Sequence, residues 1–160
     1  DANRYRPVAW WNPDTFKSVE TSLAEAVNFW LTYLGVAELV TVDEAGASGV
    51  AWRVRSPHDQ LLRSLSSVGV GVSQVLPILV AGLLAPENAL LLIEQPELHL
   101  HPRAQARLAE FFVGLAKVGT RCIVETHSEA FISQIRLSLR AKLLHAPLLH
   151  ALARSSGDDW

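Results

Sequence analysis

Methionine is absent from this chain of 160 residues, and cysteine occurs once, at Cys122. A lone cysteine excludes an internal disulfide and any cysteine-based zinc site. Lying in the apolar run Cys122-Ile123-Val124, it reads as a small buried residue. With no methionine even at position 1, the expectation is a processed chain or an excerpt of a longer one. Long hydrophobic runs are missing too. The longest, Val75 to Ala85, covers about eleven residues and contains Pro77, against the roughly 20 needed to cross a bilayer. No signal-peptide pattern opens the chain, because Arg4 and Arg6 lead into an aromatic and polar stretch. The expectation is a soluble, cytoplasmic chain without a membrane partner. Basic charge is not in excess either: 14 Lys and Arg stand against 16 Asp and Glu, a net charge of -2, with a pI near 6.3. Contact with nucleic acid would need a local basic face.

What is present is apolar. The hydrophobic fraction is 49% and the mean hydropathy is +0.19. That is high for a soluble chain, and it fits either a well-filled core or apolar surface meant for a partner or a missing segment. The length is that of one domain or part of one.

Asp1 to Asp14, with Pro7, Trp10, Trp11 and Pro13, reads as an irregular lead-in whose aromatics pack on a core. Leu23, Val27, Trp30, Leu31 and Leu34 recur at helical spacing and predict an amphipathic helix from about Phe16 to Leu34, stopped by Gly35. Leu39–Val42 and Val50–Val54 are β-branched runs around a glycine-rich turn at 45–49 and predict an antiparallel hairpin. Leu61–Leu65 adds a short strand. After the glycine-bearing stretch Ser66–Gln74 a helix is expected to about Leu84, and Pro86-Glu87-Asn88 then breaks the chain. Ala89–Ile93 is a continuous apolar run of the kind covered on both faces in parallel sheets. A helix follows over about Arg103–Lys117, then a second buried strand over Arg121–Glu125, then a helix over about Glu129–Leu144. Strand, helix, strand, helix implies an α/β fold with parallel strands flanked by helices, whose ligands sit at the carboxyl ends of the strands. By motif the chain divides into a helix-and-hairpin part, 1–67, a lobe, 68–145, and a loose tail, 146–160.

Glu94 ends the first buried strand. A carboxylate there costs desolvation unless it has a cation or donors, and magnesium, which takes one or two carboxylates plus phosphates, suits it. A helix-capping or salt-bridged glutamate is the alternative. His127 follows the second strand as Glu94 follows the first, placed to donate a hydrogen bond to an anionic oxygen; a structural loop histidine is the alternative. Gly69 and Gly71 can turn amides toward an anion, with Ser73 at the start of a helix, or they can serve a tight turn. Glu97, His99 and His101 with His127 could be read as a metal cluster, although the turn between strand and helix also explains that spacing.

The string LLLIEQPELHLHP, Leu90 to Pro102, resembles the Walker B and D-loop segment of ABC-type ATPase heads, most closely bacterial predicted AAA ATPases of the OLD and SMC/RecF-like group. Val124-Glu125-Thr126-His127-Ser128 resembles the switch of that group, and Val68 to Pro77 stands where its signature does. The resemblance implies the carboxyl-terminal half of a P-loop NTPase head that uses ATP and Mg2+. It places Glu94 at the magnesium-binding Walker B position, Gln95 at the catalytic-glutamate position and His127 at the γ-phosphate switch. Gly69, Gly71, Ser73 and Gln74 fall in the signature loop, which closes on ATP held by a second head, and His101 falls at the D-loop position facing that head. The chain departs from the pattern twice. Gln95 cannot act as a general base, leaving hydrolysis to Glu97, Glu125 or positioning. No G-x-x-x-x-G-K-S/T occurs, so the phosphate cradle is expected from a missing segment of the same protein.

The leading expectation is a nucleotide-dependent dimerisation switch, with ATP hydrolysis only in the intact protein and this piece alone inactive. The alternatives are a non-catalytic interaction module and a small metal-dependent hydrolase using Glu97, His99, His101 and His127. The relatives' links to DNA maintenance suggest a nucleic-acid or nuclease partner, yet Arg136, Arg140 and Lys142 read as a solvated helix face.

Overall fold

In the computed structural model the described residues are 6–44, 50–56, 61–140 and 150–152. By contacts the chain separates into two compact units: Asp1–Ala9 with Glu20–Leu84, and Trp10–Val19 with Ala85–Trp160. The division passes through an opening hairpin of two strands, β1 (Pro7–Asn12) and β2 (Lys17–Ser22). The expected irregular lead-in is therefore a strand. Val8 and Trp10 alternate inward along β1, and Asn12 Oδ1 closes the turn by accepting the amides of Asp14 and Thr15 at 2.9 and 3.1 Å.

The predicted first helix begins later than its apolar spacing suggested. Helix α1 spans Leu23–Leu34, because residues 17–22 pair with β1 and Ser22 then supplies a capping box. The Ser22 amide and hydroxyl donate to Glu25 Oε2 at 3.0 and 2.7 Å, and the Glu25 amide returns to Ser22 Oγ at 3.3 Å. Those bonds hold the Glu25 carboxyl below its usual range. Gly35 ends the helix with φ 75°, a conformation that favours glycine. Leu23, Ala26, Val27, Trp30, Leu31 and Leu34 form the buried stripe, as the periodicity required.

The first unit also contains an antiparallel sheet in the order β3 (Leu39–Glu44), β4 (Val50–Arg55), β5 (Leu62–Ser64). This is the expected hairpin with its short third strand, although the glycine-rich turn at 45–49 lies outside the described residues. Asn28 of α1 completes the free edge of β3: its Oδ1 accepts the Val40 amide at 2.6 Å and its Nδ2 donates to the Val40 carbonyl at 3.2 Å. A single 3-10 turn, Leu65–Ser67, leads to helix α2, Val70–Leu84, which packs against α1. Pro77 lies inside α2 and removes the amide that would bond the Ser73 carbonyl.

The second unit is a parallel sheet in the order β6 (Leu90–Glu94), β7 (Arg121–Glu125), β8 (His150–Leu152). Part of the expected tail is thus the strand β8, which continues the parallel sheet after helix α4. Helix α3 spans Pro102–Lys117 and packs on β7 and on α4, Glu129–Arg140; the expected last turn of α4 lies outside the described residues. Leu108, Phe111, Phe112, Leu115, Phe131 and Ile135 form the shared core, each burial contributing about 1.5–3 kcal/mol. Trp11 of the hairpin tip lies on α3, with its Cβ 3.3 Å from where a Gly114 side chain would begin and its ring under the Lys117 ammonium at 3.9 Å. Cys122 is buried in β7, and burial pushes its thiol up to about 11.

One expectation fails at β6. Its continuous apolar run predicts cover on both faces, yet Leu90 is 51% and Leu92 71% exposed. Among the described residues β6 is an edge strand, bonded only to β7.

Candidate nucleotide site

Two parallel strands in register set the geometry of the second unit. Glu94 pairs with Glu125 at the carboxyl ends of β6 and β7, and the Gln95 amide extends the ladder by donating to the Glu125 carbonyl at 2.8 Å. Residues in register on neighbouring strands share a face, so two carboxylates stand side by side, an arrangement that is repulsive without a cation. Glu94 is exposed, and its carboxylate makes no hydrogen bond or ion pair among the described residues. The capping and salt-bridge alternatives for Glu94 find no support there. The pair fits Mg2+, which needs one or two carboxylates and completes its shell with water and phosphate.

His127 stands two residues beyond Glu125, with an exposed side chain. Its imidazole also has no partner among the described residues; only its amide is engaged, donating to Glu97 Oε1 at 2.9 Å. Gln95, Glu94 and His127 therefore share one edge of one sheet. Gln95 is held at φ 44° and His99 at φ 61°, left-handed conformations that cost a non-glycine residue on the order of 1 kcal/mol or more and recur at binding sites. The turn between them buries Pro96 and Glu97 and leaves Leu98 and His99 exposed.

His101 is exposed and caps α3, its Nδ1 accepting the Arg103 amide at 3.3 Å. The proposed metal cluster does not form: among the described residues no three His, Cys, Asp or Glu side chains converge to hold a metal ion. The reason lies in the turn, which buries Glu97 toward the His127 amide while His99 and His101 remain exposed. That removes the geometry on which the hydrolase alternative stood.

Gly69, Gly71, Ser73 and Gln74 belong to the first unit. Gly69 directly precedes α2, whose first turn carries Gly71 and Ser73. Neither glycine has a positive φ, so a left-handed turn does not account for them. A Cβ at Gly69 would meet nothing within 4 Å, and Ser73 is exposed. The sequence reading missed Gln105 and Ser128, and gave Glu97 only other roles. Gln105 carries the one available signal, a polar residue three positions before Leu108 beside the buried stripe of α3.

Residues 38–133, more than half of the chain, match the model of the family described as "AAA domain, putative AbiEii toxin, Type IV TA system". This chain belongs to that family. The AAA domain is also 31% identical over 104 residues to the Old nuclease of Escherichia phage P2, covering 58% of this chain and 18% of that protein. The chain thus spans less than a fifth of that relative's length. Two solved structures share its fold. One, from work on ATP-driven dimerization and DNA stimulated activation of SMC ATPases, has a TM-score of 0.58 at 12% identity, covering 70% of this chain and 71% of that one. The other, an SmcHead bound to the C-winged helix domain of ScpA, has a TM-score of 0.54 at 10% identity, covering 70% and 36%. The AAA domain thus has the P-loop NTPase fold that SMC heads share and is similar in sequence to the Old nuclease. Among its described residues no helix is long and apolar enough to cross a membrane.

Proposed function

We propose that this chain is the carboxyl-terminal lobe of an ATP-binding head that works as a nucleotide-dependent dimerisation switch. The observation that carries this reading is the shared sheet edge, where Glu94 and His127 present unpartnered side chains beside Gln95 and Glu125. Glu94 holds Mg2+ directly or through water, Gln95 orients water without being able to accept its proton, and His127 donates to the γ-phosphate. Bound magnesium would neutralise phosphate charge. The loop of Gly69, Gly71, Ser73 and Gln74 closes on ATP held by a second copy, which His101 faces. Residues 68–145 are in this view a functional grouping, drawn from both packing units. The phosphate cradle comes from another segment of the same protein; among the described residues β6 has a free edge where the sheet can continue, and the exposed Leu90 and Leu92 leave one of its faces for that segment to cover. A nucleic-acid or nuclease partner is suggested by the name of the phage relative.

Gln95 favours association over hydrolysis as the output. Titration of Mg-ATP into the intact protein tests the reading. Glu94→Ala should weaken Mg-dependent binding at least about tenfold, or ~1.4 kcal/mol, and Ser73→Arg should abolish ATP-dependent dimers in light scattering while ATP still binds. Unchanged affinity in the first variant and unchanged dimers in the second would return the chain to a non-catalytic interaction module.

A further inference from the structure

The turn after β6 and the loop after β7 are tied together by side chains that the sheet itself does not need. Glu97 is 5% exposed, yet the only bond its carboxylate makes among the described residues is the one Oε1 accepts from the His127 amide at 2.9 Å; Oε2 is buried without a partner there. Gln105 reaches both segments. Its Nε2 donates to the Leu100 carbonyl at 2.9 Å and to the Glu97 carbonyl at 3.4 Å, while its Oε1 accepts the Ser128 hydroxyl at 2.6 Å. Ser128 Oγ also accepts the Phe131 amide at 3.0 Å, and the Ser128 amide donates to Thr126 Oγ1 at 3.1 Å. The amides on both sides of the His127 α-carbon are thus fixed.

A buried carboxylate is an expensive way to fill space, and an apolar side chain would pack there at lower cost. A bond to a charged acceptor in a low-dielectric setting is nonetheless strong and directional. The same turn carries two left-handed residues, Gln95 and His99, and such backbone persists only where its surroundings over-determine it. Gln105 supplies that constraint from α3.

We propose that Glu97 and Gln105 are positioning residues that couple the 95–101 turn to His127, so that a shift of the turn is transmitted to the imidazole. This rests on the reading of His127 as a γ-phosphate contact, but the tie between the two segments can be measured without nucleotide. Amide hydrogen exchange in the intact, unmodified protein should show His127 protected although it lies outside any helix or strand. Glu97→Leu should accelerate exchange at His127 on the order of ten- to a hundredfold, and Glu97→Gln, whose amide oxygen still accepts, should restore most of the protection. Exchange of the wild-type His127 amide at the free-peptide rate overturns the proposal even where Glu97→Leu does not fold.

The second arm compares ATP with ADP affinity, a readout that a general loss of stability does not move. Glu97→Leu and His127→Ala should each reduce the preference for ATP, and the double variant should lose no more than His127→Ala alone. Additive losses overturn the coupling. If exchange responds as expected while His127→Ala keeps the full preference for ATP, the phosphate role of His127 fails and the tie between the segments stands.

Discussion

The two units follow different rules. In the first, most described elements agree with their local sequence: a capped amphipathic helix ends at a left-handed glycine, β-branched runs pair antiparallel, and an apolar helix, Pro77 apart, packs on its neighbour. In the second, the local rules are broken repeatedly. The buried polar residues among those described, Glu97, Thr120, Thr126 and Ser128, all belong to it. So do the non-glycine residues at positive φ, Phe16, Asn88, Gln95 and His99. Sequences tend to violate local consistency where a site requires it, and the violations within residues 94–101 and 126–128 cluster around the candidate site. Phe16 and Asn88 lie in connecting turns and are explained by turn geometry alone.

The contrast can be broken by experiment. Its largest test is the core: Phe112→Ala, which empties the space between Phe111 and Phe131, should cost about 3–5 kcal/mol in denaturant unfolding. A cost under about 1 kcal/mol would mean that the second unit is held by its polar ties and not by its apolar core. Next comes pH. The Cys122 thiol has its value raised from 9.0 to about 11 in the folded chain, so the unfolded state releases the proton first. Stability from keeping it neutral is fully present below pH 9 and should fall by on the order of 2 kcal/mol as pH rises to about 11. Cys122→Ala should flatten that part of the pH profile. The smallest effects come as a pair of opposite sign. Ser22→Ala removes the capping box and should destabilise by about 1 kcal/mol, whereas His99→Gly should stabilise by up to about 1 kcal/mol by relieving its left-handed backbone. If both substitutions destabilise equally, the distinction between a locally consistent unit and a strained one is wrong.

Much of the architecture was legible because it rests on periodicity. The stripe of α1, the spacing of Ala104, Leu108, Phe111, Phe112 and Leu115, and the two apolar runs that became β6 and β7 are patterns within single elements. The opening strand was not legible, because Val8 and Trp10 become a buried face only when β2 pairs beside them. The exposure of Leu90 and Leu92 escaped for the converse reason: an apolar run announces a buried strand, but burial depends on which other segments cover it. Glu97 shows the same limit at the site. Its place beside Glu94 suggested metal binding or base catalysis, while its contact lies thirty residues away at His127.

By itself the sequence determined the α/β class, the order of the elements from α1 to α4 and the residues that end β6 and β7, because side-chain spacing and strand-terminal carboxylates are local properties of the chain. Only the tertiary structure decided that Glu94 lies in register with Glu125, that their edge is left open beside His127, and that Glu97 and Gln105 hold the histidine's loop. Register, exposure and hydrogen bonds between distant segments arise from pairing and packing, and no single stretch of residues encodes them.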